Sequence, residues 1–450
     1  MTRVIANVVS GAGRWRAACG WLLGAGLLAG CGPEGLPNVL LITLDTTRAD
    51  RLSCYGHARE TSPHLDRLAR ESLRYEHAYA VSSWTLPSHA SLFTGKFPTS
   101  HGAAYDPEGP LILSQGIKGP AGWDRFRARS LAVDERTLAG RLGAHGYDTA
   151  AVVAGPWLRR VFGLDRGFEH YDDSEITSVN GRSADRVTQA AIEWLDEGRD
   201  ADRPFFLFLN YFDPHGPYNP PRGHRRTFME VGQSDVNLTR EQKRDLLYDA
   251  EIHFMDAELG RLLDNMRRKD LFDDTWIIVT ADHGELMGEG GAWGHGETLS
   301  EAELRIPLLV KAAGGGRVGV ETRPVQLPDV FSLIAEATNL AGAAEGVIDP
   351  EAGHPIVAEV GPVGRPAWRA LIGDRWKFVS SSEGARHLFD LQDDPWEQVD
   401  RIDTESETGA QLENRMDDFF AALPRPGPAS PATEVDPEEI ERLRSLGYLD

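Results

Sequence analysis

The sequence predicts an α/β fold: a mostly parallel central sheet flanked by helices, with a small antiparallel subdomain at the C-terminal end. Three observations carry this expectation. Short continuous apolar runs alternate with stretches of helical period; two of those runs end in acid-bearing loops; and from about Pro355 the pattern turns to short strands separated by turns. With 450 residues, 41% of them hydrophobic, the chain can bury a large core, so disorder fails as a general description.

Residues 1–30 stand apart. Arg3, Arg14 and Arg16 precede an apolar run from Ala17 to Gly30, too short for a membrane span and patterned as a signal peptide. The run closes on Leu28-Ala29-Gly30-Cys31, similar to the lipobox of bacterial lipoproteins, with Cys31 as the lipidated residue. The expected location is therefore the cell envelope of a bacterium, with the protein held at the membrane by its lipid. Removing three arginines and no acids would move the formal charge from −22 to −25. So acidic a chain, without a basic run, is no nucleic-acid binder. Cys54 would be left as a lone packing cysteine, and no internal disulfide is expected.

After a tether at 31–37, Val39 to Leu44 reads as a buried parallel strand ending in Asp45, where open α/β sheets place their sites. Thr61 to Tyr75 reads as a helix with Pro63 near its start, and Ser88 to Thr94 as a short helix opened by Pro87 and closed by Gly95. Gly102 to Ala132 is Gly/Pro-rich and lacks periodicity, as a loop or insertion does. Helices follow at Thr137–His145, Arg182–Leu195 and Thr239–Arg268. Strands are expected at Thr149–Ala154, Phe205–Phe212, Trp276–Thr280 and Ile306–Val310. The antiparallel piece takes Trp368–Ile372, Trp376–Ser380 and His387–Asp390; Leu423–Pro437 reads as a strap and Glu438–Leu449 as a final helix. The expected divisions are a catalytic domain at 38–350, a subdomain at 351–422 and the strap with its helix at 423–450.

The chemistry gathers around Thr85, placed just ahead of a helix N-terminus where free N–H groups favour an anion. Taken singly, Thr85 reads first as an N-cap, while Asp45 reads equally as a turn cap and Asp282-His283-Gly284 as a hydrogen-bonded loop. Taken together they supply two carboxylates, an imidazole and a hydroxyl. A metal in that shell would make the Thr hydroxyl a nucleophile at neutral pH.

In order along the chain, Asn38 to Asp45, TLPSHASLFTG, LNYFDPHGPY, YDAEIHFMDAELGRLLDNM, TADHGE, GHGETLSEAELRIPLLV and HLFDLQDDPWE resemble the sulfatase family of the alkaline phosphatase superfamily, from Asn38 to about Asp400. The resemblance implies a metal-dependent hydrolase of sulfate or phosphate esters. It also has departures. The family's motif is Cys or Ser, any residue, Pro, Ser, Arg, its first residue becoming formylglycine; here the five positions are Thr85-Leu86-Pro87-Ser88-His89. Thr46 stands where the family has a second Asp, and His283 where it has Asn. Imidazole disfavours calcium, so one zinc or manganese ion is expected, with calcium as the remaining alternative.

The Thr nucleophile, the Asp-His pair, and the histidines at His215 and His295 are also similar to phosphoethanolamine transferases of bacterial envelopes. By these analogies Asp45, Thr85, Asp282 and His283 hold the metal and Thr85 attacks. His215 protonates the leaving group, with His295 as a second acid or second-metal ligand. Lys96, His89 and Arg48 are the candidates for holding ester oxygens. The implied substrate is a small-molecule, glycan or lipid ester. An envelope phosphoryl transferase or phosphodiesterase, and a non-catalytic anion- or glycan-binding relic, are the alternatives.

Overall fold

The computed structural model describes residues 35–106, 109, 111–112, 127–229, 238–340, 354–361 and 365–426. The signal-peptide run, Cys31, the helix expected at 438–449 and most of the strap lie outside the described residues. From Leu36 onward the chain forms one compact unit.

Asn38–Leu44 (β1) is buried at every position but its first. Its side chains alternate between two cores, Leu40, Ile42 and Leu44 entering one and Val39 and Leu41 the other. That is why the run is apolar throughout: helices cover both faces of the sheet. Next come Pro63–Ala69 (α1), Leu73–Tyr75 (β2), Ala78–Tyr79 (β3), Thr85–Thr94 (α2), Leu138–Ala144 (α3), Asp148–Val152 (β4), His170–Asp172 (β5), Ala184–Glu193 (α4) and Phe205–Tyr211 (β6). Arg240–Arg268 (α5), Thr275–Thr280 (β7), Arg305–Ile306 (β8), Leu308–Lys311 (β9), Gly319–Glu321 (β10), Val325–Gln326 (β11) and Leu327–Ala337 (α6) complete the α/β part. The main sheet runs β10-β2-β9-β7-β1-β6-β4-β5. Its centre is parallel, β7 and β6 flanking β1, while β9 is antiparallel to β7.

Three local expectations change. The helix expected over 61–75 stops at Ala69, because Ser72 Oγ bonds back to the Leu68 carbonyl oxygen and Leu73–Tyr75 finds ladder partners in β9 and β10. The helix expected at Ser88 begins one turn earlier, so Thr85 lies in its first turn, with Trp84 as the preceding cap residue. The strand expected over 306–310 divides at Pro307, β8 pairing with β3 and β9 with β7.

Ile356–Val360 (β12), Trp368–Ile372 (β13), Trp376–Ser381 (β14) and Arg386–Asp390 (β15) form an antiparallel meander, one strand more than the sequence predicted. One face, with Val357, Leu371, Phe378 and Leu388, packs on Met416 and Phe420 of Ser406–Ala422 (α7), a helix the sequence pattern had not revealed. The other face adds Ala358, Ala370 and Ile372 to the main core. Each of the larger apolar side chains contributes roughly 1.5–3 kcal/mol by burial and each alanine methyl less, so the subdomain is welded on rather than hinged.

One ion triad crosses this junction. Lys377, wholly buried in β14, puts its ammonium 3.0 Å from Glu301 Oε1 and 2.7 Å from Glu397 Oε1. Replacing Lys377 by methionine leaves two buried carboxylates facing each other, and the expected loss is roughly 3–5 kcal/mol. The check is the denaturant midpoint; adding Glu397→Gln to Lys377→Met should recover part of it, whereas a midpoint unchanged in the single variant would refute the role.

Candidate functional site

Three adjacent parallel strands end at one edge of the sheet. Thr43 of β1 lies in register with Thr280 of β7 and Asn210 of β6, so the continuing residues Asp45, Asp282 and Asp213 to His215 emerge together. The chain turns sharply after Asp45: Thr46 has φ 52°, a costly left-handed conformation for a β-branched residue. Several bonds hold it there. Its N–H donates to Asp282 Oδ1 at 3.2 Å, its hydroxyl turns back on the Asp45 carbonyl oxygen, and the Thr46 carbonyl oxygen accepts from the Tyr248 hydroxyl at 2.6 Å. The Thr46 side chain therefore adds no ligand to the site.

Thr85, 1% exposed at the start of α2, sets its Oγ1 3.3 Å from His283 Nε2. His283 Nδ1 lies 2.9 Å from the Gly284 carbonyl oxygen, to which it donates, so the lone pair is on Nε2. That nitrogen is 3.4 Å from Asp282 Oδ2. One oxygen of Asp45, one of Asp282 and one His283 nitrogen lie within 4.8 Å of one another. Both Asp45 oxygens and Asp282 Oδ2 are buried with no hydrogen-bond partner among the described residues. Buried oxygens are seldom left so. Two carboxylates and a bare imidazole nitrogen are the donor set of a divalent cation, so the residues fit a divalent metal ion.

The electrostatics agree. Burial, followed by the charge of Asp282, pushes the Asp45 carboxyl well above its usual range. Burial opposes ionisation of Asp282 too, yet His283, His89 and two backbone N–H groups hold it below normal. Burial pushes His283 down to about 4. The pocket thus prefers a neutral imidazole and resists a second negative charge, a conflict that a dication removes.

Beneath the site runs a directed chain of buried hydrogen bonds. Asn210 Nδ2 donates to Thr43 Oγ1 at 3.2 Å, Thr43 lies 3.0 Å from His89 Nε2, and His89 Nδ1 lies 2.9 Å from the Thr85 carbonyl oxygen. His89 also stands 3.6 Å from Asp282 Oδ2. It therefore links Thr85 and Asp282 from below.

On the more open side, Glu285 Oε1 lies 3.1 Å from His295 Nδ1, and Tyr218 donates to Glu285 Oε2 at 3.3 Å. His295 packs 4.5 Å from His283 and 4.9 Å from His215, centroid to centroid. Burial works against a charged His295, but Glu285 outweighs it and raises the imidazole's pKa. His215 goes the other way, to about 4, by burial and then by the charge of His295; its ring stacks on Phe212 and its Nδ1 donates to the Gly216 carbonyl oxygen. The two candidate acids are thereby differentiated.

Two expected substrate ligands are engaged elsewhere. Lys96 lies beyond the far end of α2, its ammonium 2.6 Å from Glu135 Oε2. Arg48 is buried between Asp50, at 2.9 Å, and Glu289, at 2.6 Å. Cys54 is free, and burial pushes its thiol up to about 12, consistent with a packing role. Glu285 and Asn210 are the site residues the sequence did not mark.

A mostly parallel sheet bearing these groups at its carboxyl edge is the architecture of a sulfatase-type hydrolase. The chain belongs to the sulfatase family, whose profile, described as Sulfatase, matches residues 37–340. It is 24% identical to the uncharacterized sulfatase YidJ of Escherichia coli (strain K12), over 82% of this chain and 83% of that one. It is 36% identical to arylsulfatase A of Bos taurus, over 72% of this chain and 68% of that one. Among solved structures, a protein in complex with its substrate D-glucosamine-2-N,6-O-disulfate superposes with a TM-score of 0.68 at 17% identity, covering 86% of this chain and 97% of that one. The phosphonate monoester hydrolase of Agrobacterium radiobacter gives 0.64 at 19%, covering 86% and 95%.

Proposed function

We propose that this sulfatase-family hydrolase cleaves sulfate or phosphorus-oxo esters by direct attack of Thr85 within a site for one divalent metal ion. The observation that carries the reading is the set of unpartnered Asp45 and Asp282 oxygens and the bare His283 Nε2 gathered against the Thr85 hydroxyl. The ion, held by Asp45, Asp282 and His283, supplies the positive charge that makes that hydroxyl acidic. Thr85 Oγ1, its proton already released to bulk water, attacks sulfur or phosphorus, and the S–O or P–O bond to the leaving group breaks. His295, kept protonated by Glu285, gives the departing oxygen its proton from Nε2. Water then attacks the sulfur or phosphorus, giving one proton to neutral His295 and keeping the other on the released acid, and Thr85 leaves as the alkoxide, which restores both groups.

The acid role goes to His295 rather than His215, because only His295 has a carboxylate partner. Replacing His295 by glutamine is expected to slow alkyl esters by about 10²–10⁴-fold and activated aryl esters far less, since a good leaving group needs no proton. Steady-state kinetics on a leaving-group series checks this, and equal losses across the series would remove His295 from the role.

A Thr ester cannot be released as a formylglycine hydrate releases sulfate. We therefore expect an aryl phosphonate monoester or phosphate diester to be turned over faster than an aryl sulfate, with either rate abolished in Thr85→Ala. Hydrolysis of none of them above that variant would refute the proposed activity. The solved neighbour bearing a sulfated glucosamine supports an ester on a sugar as the natural substrate class. The Leu28-Ala29-Gly30-Cys31 run supports an envelope location through a lipid on Cys31. Among the described residues, no helix is long and apolar enough to cross a membrane.

A further inference from the structure

Away from Thr85, a cavity of about 970 Å³ opens where the small β8-β3-β11 sheet, α6 and the C-terminal meander meet. None of the metal-site residues lines it. It is as large as an ordinary small-molecule site.

Its charges are unusual for so acidic a chain. Arg305, Arg323 and Arg415 line it and form no ion pair among the described residues, and Arg305 uses only Nη2, on the Glu76 carbonyl oxygen. Most of the acids around them are already claimed: Asp50 by Arg48, Asp329 by His354 and Glu301 by Lys377. Of the lining acids, Glu336 and Asp374 have no ion-pair partner among the described residues, so three guanidiniums without a carboxylate partner share these walls with two such carboxylates. Tyr75 and Tyr79 supply aromatic wall, and Trp396 lies at the rim, 43% exposed. A half-exposed indole, which the Arg48 guanidinium meets 5.5 Å from its centroid, beside guanidiniums without a carboxylate partner suits a flat, hydroxyl-rich ring bearing an anion on its remaining face, with Glu336 and Asp374 left to accept its hydroxyl protons.

We propose that this cavity is a second binding site, separate from the catalytic one, for an acidic saccharide unit. Arg305, Arg323 and Arg415 take its anionic group, and Trp396 takes its ring face.

The test uses a ligand with no cleavable ester: a glucuronic-acid disaccharide titrated into the full chain by calorimetry and tryptophan fluorescence, with uncharged cellobiose alongside. The acidic disaccharide should bind at one site at up to millimolar concentration, unaffected by Thr85→Ala. In Arg323→Glu/Arg415→Glu, two exposed positions whose exchange leaves the fold intact, binding should weaken about tenfold or more while ester hydrolysis is unchanged. Trp396→Phe should abolish the fluorescence response. Equal binding of cellobiose, loss of binding in Thr85→Ala instead of the arginine variant, or no binding to the unaltered chain would each overturn the proposal.

Discussion

Thr85→Ala is expected to lower kcat/KM for any ester the enzyme turns over by about 10⁴-fold or more, because it removes the attacking atom and leaves only binding and charge stabilisation. The hydroxyl sits in a first helical turn, 3.3 Å from the His283 nitrogen, and among the described residues no other hydroxyl bonds that nitrogen. Thr85→Ser keeps the attacking oxygen and should retain most of the rate. The β-methyl lost is a packing group in a buried turn, so a modest fall in melting temperature is the expected side effect. Equal activity of the alanine variant would mean that another atom attacks.

Removing metal ions with a chelator should abolish activity, and zinc or manganese should restore it. The same treatment should destabilise the fold, since Asp45 and Asp282 then face each other buried and without a cation. A cation present at a thousandfold excess over its Kd stabilises the native state by about 4 kcal/mol, which calorimetric melting registers easily. Asp282→Asn should lower the rate by about 10³-fold, the equivalent of roughly 4 kcal/mol of lost charge stabilisation. In that variant the melting temperature should respond weakly to added metal. A chelated wild-type protein that kept both its rate and its melting temperature would remove the ion from the proposed mechanism.

The fold was legible where a residue's role follows from local period. The apolar β1 with Asp45 at its end, the apolar side of α5 and the strand leading to Asp282-His283 could be read because a strand buried on both faces leaves no other pattern. β2 could not, since Leu73-Arg74-Tyr75 continues a helical period and only its partners in β9 and β10 make it a strand. The metal-ligand candidates were likewise visible as acids and a histidine at strand ends. Their second layer was hidden: Glu285 meets His295 across a glycine-rich hairpin, and Asn210 reaches Thr43 from another strand. The ion pairs of Lys96 and Arg48 were hidden for the same reason. A cation near a motif looks free in sequence, and Glu135 and Glu289, which claim these two, arrive from 39 and 241 positions away.

Trapping the covalent state tests Thr85 most directly. The protein, quenched with acid while turning over an aryl ester, would be digested and examined by mass spectrometry. A sulfuryl or phosphonyl group on the peptide containing Thr85, absent from Thr85→Ala and from protein stripped of metal, is the expected result. An adduct on a different residue, or none during a demonstrated burst of product, would contradict nucleophilic attack by Thr85.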